Sequence, residues 1–366
     1  MSITPITMPK WGLTMTEGKV VQWLKPQGGA FAKGEELLEI ETSKITNVLE
    51  AEEDGTLTRI VAPEDTTLPI GALLAVVAPE TTPAAEVDAF IAGFVVPEPS
   101  EETMAEAEAG PRTVDIGGRS LRYLERGAGV PVVMLHGFGA DLNTWMFTQP
   151  ALADRHRTIA LELPGHGGST KDVGAGTLDA LADAVEAALA TLDIDRAHLI
   201  GHSMGGAVAA AVAARRPDRA ATLTLIAPAG LGPEINATFI DGFVRATRRK
   251  DAEAVLRLLV RDPALVSRTM VEDMLRNKRI DGATAALETI AHAWFPGGHQ
   301  AVDITASVAG LAMAVQLIWG ADDRIVPETH ALAARVPVHV VEHAGHLPHM
   351  EKAGAVNDLI RRFIAA

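Results

Sequence analysis

The chain contains no cysteine. Disulfides and cysteine nucleophiles are therefore excluded, and any thiol chemistry must come from a cofactor. No apolar run approaches the roughly 18 residues that a membrane span requires. The stretch Met1 to Lys10 lacks the basic region and apolar core of a secretory signal. These absences favour the cytoplasm. Positive charge is scarce at the front of the chain: residues 81–110 hold 7 acidic and no basic residues, and residues 1–80 hold 12 acidic and 6 basic. The first 110 residues thus carry −13 of the net charge of −15. Nucleic-acid binding needs basic patches that neutralise phosphate, and is not expected. No metal site is expected. The acidity serves solubility, or alternatively steering toward a basic partner surface.

What remains is a chain of 366 residues, 48% hydrophobic and 22% charged, enough for two or three soluble domains. Residues 8–80 contain an internal repeat offset by 37 positions: Gly18 matches Gly55, Pro26 matches Pro63, and Gly34 matches Gly71. Apolar positions follow the same offset, Val20 with Leu57 and Leu37 with Leu74. Matched glycines and prolines mean that the same turns occur twice. Short alternating runs such as Thr56 to Ile60 read as strands. Two like β halves predict a flattened barrel or sandwich with pseudo-two-fold symmetry. Lys44 falls at their junction, which should be a hairpin at the end opposite the chain termini.

Residues 81–111 are rich in Pro, Ala and Glu and read as an extended acidic linker. The apolar patch Phe90 to Val96 interrupts it and is expected to pack back on a domain. Beyond Thr113 strands alternate with helices, which predicts a mainly parallel sheet. Strands are expected at residues 132–135, 158–161, 197–200, 223–226, 316–319 and 338–341. Helices are expected over 179–192 and 206–215. Residues 232–301 break the alternation and read as a helical, Arg-rich cap. The domains are thus 1–80, the linker 81–111, and 112–366 with its cap.

The segment Glu41-Thr42-Ser43-Lys44-Ile45 resembles the attachment site of lipoyl domains, in which a Glu-Thr-Asp-Lys-Ala type of sequence is usual. Met8-Pro9-Lys10-Trp11-Gly12 and Thr16-Glu17-Gly18 also resemble such domains. Biotinyl domains place Met on both sides of the lysine, whereas Ser43 and Ile45 stand here. The resemblance implies covalent lipoate on Lys44, attached by a lipoate ligase. A lysine at a hairpin tip holds its amine clear of the domain, within a ligase's reach.

Gly201-His202-Ser203-Met204-Gly205 matches the G-x-S-x-G nucleophile elbow, with a strand before it and a helix after it. His136-Gly137-Phe138-Gly139 follows an earlier strand, Trp319 to Pro327 a later one, and Gly345-His346-Leu347-Pro348 the last. Together, in this order, these motifs resemble the α/β-hydrolase fold. The resemblance makes Ser203 the nucleophile, Asp323 rather than Asp322 the acid, and His346 rather than His343 or His349 the base. The backbone N–H groups of Phe138 and Met204 would form the oxyanion hole. His166 and His202 read as structural, and His292 and Trp294 as cap packing.

The combination of a lipoyl domain with an α/β-hydrolase domain resembles the dihydrolipoyllysine acetyltransferase components of acetoin dehydrogenase complexes, over the whole chain. The resemblance implies acetyl transfer from lipoyl-Lys44 to coenzyme A. It also implies a thiamine-diphosphate-dependent acetoin-cleaving component and a dihydrolipoamide dehydrogenase as partners. The His-x-x-x-Asp-Gly motif of ordinary 2-oxo acid dehydrogenase acyltransferases is missing, because Asn277 stands before Asp281-Gly282. The alternatives are an ester or thioester hydrolase carrying a lipoyl domain, and a non-catalytic lipoyl carrier.

Overall fold

The computed structural model describes residues 3–11, 15–42, 46–51, 53–79, 81–96 and 110–365. Lys44, with Ser43 and Ile45, lies outside the described residues, as does Gly12. The chain forms two compact units, one built on Met1–Ala109 and the other on the chain from Gly110.

The first unit contains strands β1 (Thr4–Thr7), β2 (Glu17–Trp23), β3 (Ala30–Phe31), β4 (Glu36–Glu41), β5 (Thr46–Glu50), β6 (Gly55–Ile60), β7 (Thr67–Pro69) and β8 (Leu73–Val77). They make two four-stranded sheets, in the orders β1-β8-β6-β3 and β5-β4-β2-β7. A shift of 37 residues carries β2, β3 and β4 onto β6, β7 and β8, so each sheet repeats the other's order. The repeat glycines Gly34 and Gly71 both have positive φ, +83° and +78°, where a Cβ would strain the turn. The repeat pairs supply the core: Val20 and Leu57 are both 0% exposed, and Leu37 and Leu74 are buried beside them. Each such side chain contributes about 1.5–3 kcal/mol by leaving water.

β4 and β5 pair antiparallel as far as Glu41 opposite Thr46, and residues 42–45 connect these two strands in the sequence. At the symmetry-related position Thr4 pairs with Val77, which brings the first and last strands of the sandwich side by side.

The expectation of an extended chain from residue 81 is corrected. Residues Ala84–Gly93 form a helix with Pro83 at its N-cap. Its Val87 is buried, and Asp88 pairs with Arg59 of β6 at 3.1 Å. The physical reason is local: Pro83 presets the first turn, Ala-rich sequence favours helix, and Val87 provides an apolar anchor. Phe90 on this helix and Phe94 at its C-cap lie with ring centres 6.1 Å apart and planes tilted by 49°.

The second unit is an eight-stranded sheet of β9 (Arg112–Asp115), β10 (Ser120–Arg126), β11 (Val130–Leu135), β12 (His156–Leu161), β13 (Ala197–His202), β14 (Ala220–Ile226), β15 (Ala314–Gly320) and β16 (Val338–Val341). The order is β16-β15-β14-β13-β11-β12-β10-β9. β10 runs antiparallel to both β9 and β12, and the other neighbours are parallel. Every residue of the central β13 is buried, as a strand covered on both faces requires. The helices Leu178–Thr191 and Met204–Arg215 pack on this sheet; the Thr177 hydroxyl caps the first by accepting from Ala180 N–H.

Between β14 and β15 lies the cap, with helices Ala237–Arg245, Arg249–Leu256, Arg268–Lys278 and Ala283–Trp294. Gln300 clasps its base: Oε1 accepts from Gly230 N–H at 2.8 Å and Nε2 donates to Glu234 O at 2.7 Å. Among the described residues, no helix is long and apolar enough to cross a membrane.

Candidate active site

The site is assembled by loops that leave the C-terminal ends of β11, β13, β15 and β16, where open α/β sheets gather their functional groups. Ser203 follows β13 directly and carries φ +53° and ψ −120°, a strained conformation for a side-chain-bearing residue. Close packing enforces it. A Cβ on Gly205 would lie 2.3 Å from Leu135 O and 2.4 Å from His136 O, both rigid backbone atoms. The helix Met204–Arg215 can therefore approach β11 only with glycine here. Met204 opens that helix, where backbone N–H groups have no intrahelical acceptor. Phe138, the other residue expected in the oxyanion hole, lines the same cavity as Ser203.

Asp323 and His346 are brought together from β15 and β16. His346 Nδ1 donates to Asp323 Oδ2 at 2.8 Å, with both side chains almost fully buried. That bond leaves Nε2 of the neutral ring as the basic nitrogen. Asp323 is held on every side: Oδ1 accepts from the N–H groups of Ile325 and Val326 at 2.8 and 3.1 Å, and Oδ2 also accepts from Trp319 Nε1 at 3.1 Å. Asp322, by contrast, faces outward and pairs with Arg261 at 2.7 Å. Ser203 and His346 line one cavity.

Two supports of His346 escaped the sequence reading. Glu351 Oε1 accepts from Gly345 and Leu347 N–H at 2.8 and 3.3 Å, pinning the residues on either side of the histidine. His202 Nε2 donates to His346 O at 2.8 Å. Asn277, which stands where the missing motif would have histidine, donates to Asp141 Oδ2 at 2.8 Å and ties the cap to the loop after β11. Trp294 donates to Gly176 O at 2.9 Å and is cap packing, His292 is exposed, and Phe295 lines the cavity instead.

The cavity is small, about 370 Å³ with its open side included. Phe138, Phe239, Ile240, Phe295, Ile325 and Leu347 give it an apolar wall, which suits a short acyl group. The Phe138 ring is met edge-on by Phe243 and Phe295, each with its centre 5.9 Å away.

Neutral histidines cluster in the same region as His346. The His202 ring centre lies 4.7 Å from that of His346 and 4.8 Å from that of His349. Burial pushes His202 well below the ordinary histidine pKa, and pushes His349 and His166 down to about 3 and His136 down to about 4. His136 is locked as one tautomer, since Nδ1 donates to Gly137 O and Nε2 accepts from Leu163 N–H.

The consequence is acid lability. His136, His166 and His349 bind their protons near pH 6.5 when unfolded but only near pH 3–4 when folded, and burial lowers His202 in the same direction. Below pH 6.5 the unfolded state holds more protons, so stability falls as pH falls. With these four histidines the slope near pH 5 is on the order of 5 kcal/mol per pH unit. Urea unfolding of the protein at pH 7.5 and 5.5 checks this; the expected result is a large drop in midpoint at pH 5.5. Equal midpoints would mean the four imidazoles are not held neutral.

Comparison with known proteins places these features. A model described as the alpha/beta hydrolase fold matches residues 130–353, and one described as biotin-requiring enzyme matches residues 4–77. A relative in Pseudomonas putida is 46% identical over 366 residues, covering 99% of this chain and 98% of its own length. One in Cupriavidus necator is 40% identical over 368 residues, with the same coverages. Both are described as the dihydrolipoyllysine-residue acetyltransferase component of an acetoin cleaving system. Among solved structures, a meta-cleavage product hydrolase from Pseudomonas fluorescens IP01 superposes with a TM-score of 0.64 at 22% identity. It covers 70% of this chain and 98% of that one, and shares the fold.

Proposed function

The chain belongs to the dihydrolipoyllysine-residue acetyltransferase components of acetoin-cleaving systems, and from that premise we propose that Ser203, His346 and Asp323 carry the acetyl group to coenzyme A. The sandwich fits covalent lipoate: β4 and β5 close on each other at Glu41 and Thr46, and Lys44 stands in the connection between them. Bound there, lipoate supplies the acetyl thioester that the second unit accepts.

His346 Nε2 removes the hydroxyl proton as Ser203 Oγ attacks the thioester carbonyl. Asp323, held by three N–H donors besides the histidine, stabilises the imidazolium and fixes its orientation. The N–H groups of Phe138 and Met204 stabilise the oxyanion. His346 returns the proton to the departing thiolate, leaving acetyl-Ser203. It then takes the proton of the coenzyme A thiol, which attacks the acetyl-serine, and gives that proton to Ser203 Oγ as it leaves, restoring the free enzyme. Water is the competing acceptor. The apolar wall contributed by the cap disfavours it.

The reading extends to partners and place. The protein works in a multienzyme system in the cytoplasm. A thiamine-diphosphate-dependent acetoin-cleaving component loads its lipoyl group, dihydrolipoamide dehydrogenase reoxidises it, and a lipoate ligase attaches it.

The observation that carries the proposal is the buried Asp323–His346 pair in one cavity with the strained Ser203. Mixing the protein with S-acetyldihydrolipoamide in the absence of coenzyme A tests it. The expected result is a burst of thiol stoichiometric with protein and an acetyl increment on the peptide carrying Ser203. Coenzyme A then discharges it as acetyl-coenzyme A rather than acetate. No acyl-enzyme on rapid quenching would sink the covalent route.

A further inference from the structure

The chain is strongly acidic, yet its cap carries a compact cluster of cations. Residues 242–250 hold four basic and no acidic residues: Arg245, Arg248, Arg249 and Lys250. All four are exposed, at and after the end of the helix Ala237–Arg245. Lys278 binds this turn to a second helix, donating through Nζ to Phe243 O, Val244 O and Ala246 O at 2.6, 2.9 and 2.6 Å. Arg279, which follows, is thereby set beside the cluster and is also exposed. Among the described residues, no carboxylate forms an ion pair with Arg245, Arg249, Lys250 or Arg279. Arg248 pairs only with Asp251, at 2.9 Å, in an exposed pair that a phosphate oxygen readily replaces. Ile280, 41% exposed, adds an apolar surface at the edge of the cluster.

The cluster is placed for the reaction. The helix that ends at Arg245 also presents Phe239 and Ile240 to the cavity containing Ser203. From Phe239 to Arg245 the helix rises about 9 Å. A ligand with a thiol at one end, phosphates at the other and a slender arm between matches this layout.

We propose that Arg245, Arg248, Arg249, Lys250 and Arg279 hold the phosphates of coenzyme A, with its pantetheine arm lying along the helix Ala237–Arg245 and its thiol at Ser203. The inference rests on the transfer reading above. Guanidinium groups bind phosphate oxygens in pairs, and three or more cations within two turns suit the concentrated charge of a pyrophosphate and a ribose phosphate. Ile280 offers the adenine an apolar face. The acidic lipoyl unit is a diffuse polyanion by comparison, and is the alternative occupant that the experiment must separate.

The test compares two acceptors, coenzyme A and pantetheine, which lacks the phosphates. The full-length triple variant Arg245→Glu/Arg249→Glu/Lys250→Glu should raise the KM for coenzyme A on the order of 100-fold, with kcat changed by less than about two-fold. The wild-type preference for coenzyme A over pantetheine should collapse. Arg249→Gln should move the same way by a smaller factor, and titration calorimetry of coenzyme A should weaken in parallel. Affinity should fall with added salt in the wild type and much less in the triple variant. An unchanged KM for coenzyme A overturns the proposal, as does an equal rise for both acceptors. A raised KM for the acetyl-lipoyl donor alone also overturns it and assigns the cluster to the acidic unit. If the wild type transfers to neither acceptor, the transfer reading itself fails.

Discussion

Ser203→Ala lowers acetyl transfer from S-acetyldihydrolipoamide to coenzyme A by on the order of 10⁴- to 10⁶-fold. His346→Ala falls in the same range, and the double variant is little worse than either. The reason is the division of labour within the site. Without Oγ, His346 has nothing to deprotonate that lies next to the carbonyl. Without His346, Oγ stays a neutral hydroxyl. At 1.36 kcal/mol per decade the loss is about 5–8 kcal/mol, more than the rest of the site recovers. The turn at Ser203 and the Asp323–His346 bond do not depend on the Ser203 hydroxyl, so Ser203→Ala should unfold at the wild-type temperature, whereas His346→Ala removes a donor from the buried Asp323 carboxylate and should unfold somewhat lower. Steady-state thiol-exchange assays with each variant measure this. If Ser203→Ala transfers at the wild-type rate, the acetyl group passes directly from thiol to thiol and the second unit only brings the thiols together.

Lys44→Ala abolishes turnover of the reconstituted acetoin-cleaving system and removes the single lipoyl increment from the intact mass. Transfer from free S-acetyldihydrolipoamide stays within about two-fold, because the second unit is untouched. A tethered donor is supplied at an effective concentration of order millimolar, whereas an unlipoylated chain supplies none. Lys10, Lys19, Lys25 and Lys33 are the other lysines among residues 1–80. Of these, Lys19 and Lys25 are engaged with Asp65 and Glu35 on the sandwich surface. An increment that survives in Lys44→Ala would place the lipoyl group elsewhere and overturn the assignment.

Much of this architecture is legible in the sequence because turns and buried strands leave strong local marks. The 37-residue repeat survives as paired sheets since the same glycines and the same core positions are needed twice. The six strands expected in the second unit appear because each is a short apolar run; five are largely buried, and the edge strand β16 buries only Val341. Asp323 and His346 stand 23 residues apart in the chain and meet at 2.8 Å; only the strand before each indicated that they share an edge of the sheet.

What stayed hidden depends on long-range burial. The helix Ala84–Gly93 is hidden by its acidic, proline-rich surroundings: Pro83 and the Ala-rich run favour it locally, and the burial of Val87 and the Asp88–Arg59 pair add the tertiary support that the sequence does not display. Glu351 reads as a surface helix residue until Gly345 and Leu347 are seen to bond it. The histidine cluster is only partly legible: His136, His202 and His346 lie within the motifs and His349 directly after the last, and His166 and His202 read as structural, but nothing in the sequence shows that they are buried together. Buried imidazoles, neutral and polarisable, fill space beside His346 without adding a charge there.

The sandwich has one further implication. Its two ends are built alike, with the pair Glu41–Thr46 at one and Thr4–Val77 at the other. An enzyme that recognised only the shape of strands would meet the same surface twice. The ends differ in connectivity: at one the backbone continues from strand to strand, and at the other the unit's chain enters and leaves. The repeat therefore gives the sandwich two like addresses, and connectivity separates them: only between β4 and β5 does the chain run on from one half to the other, and Lys44 falls in that stretch of sequence.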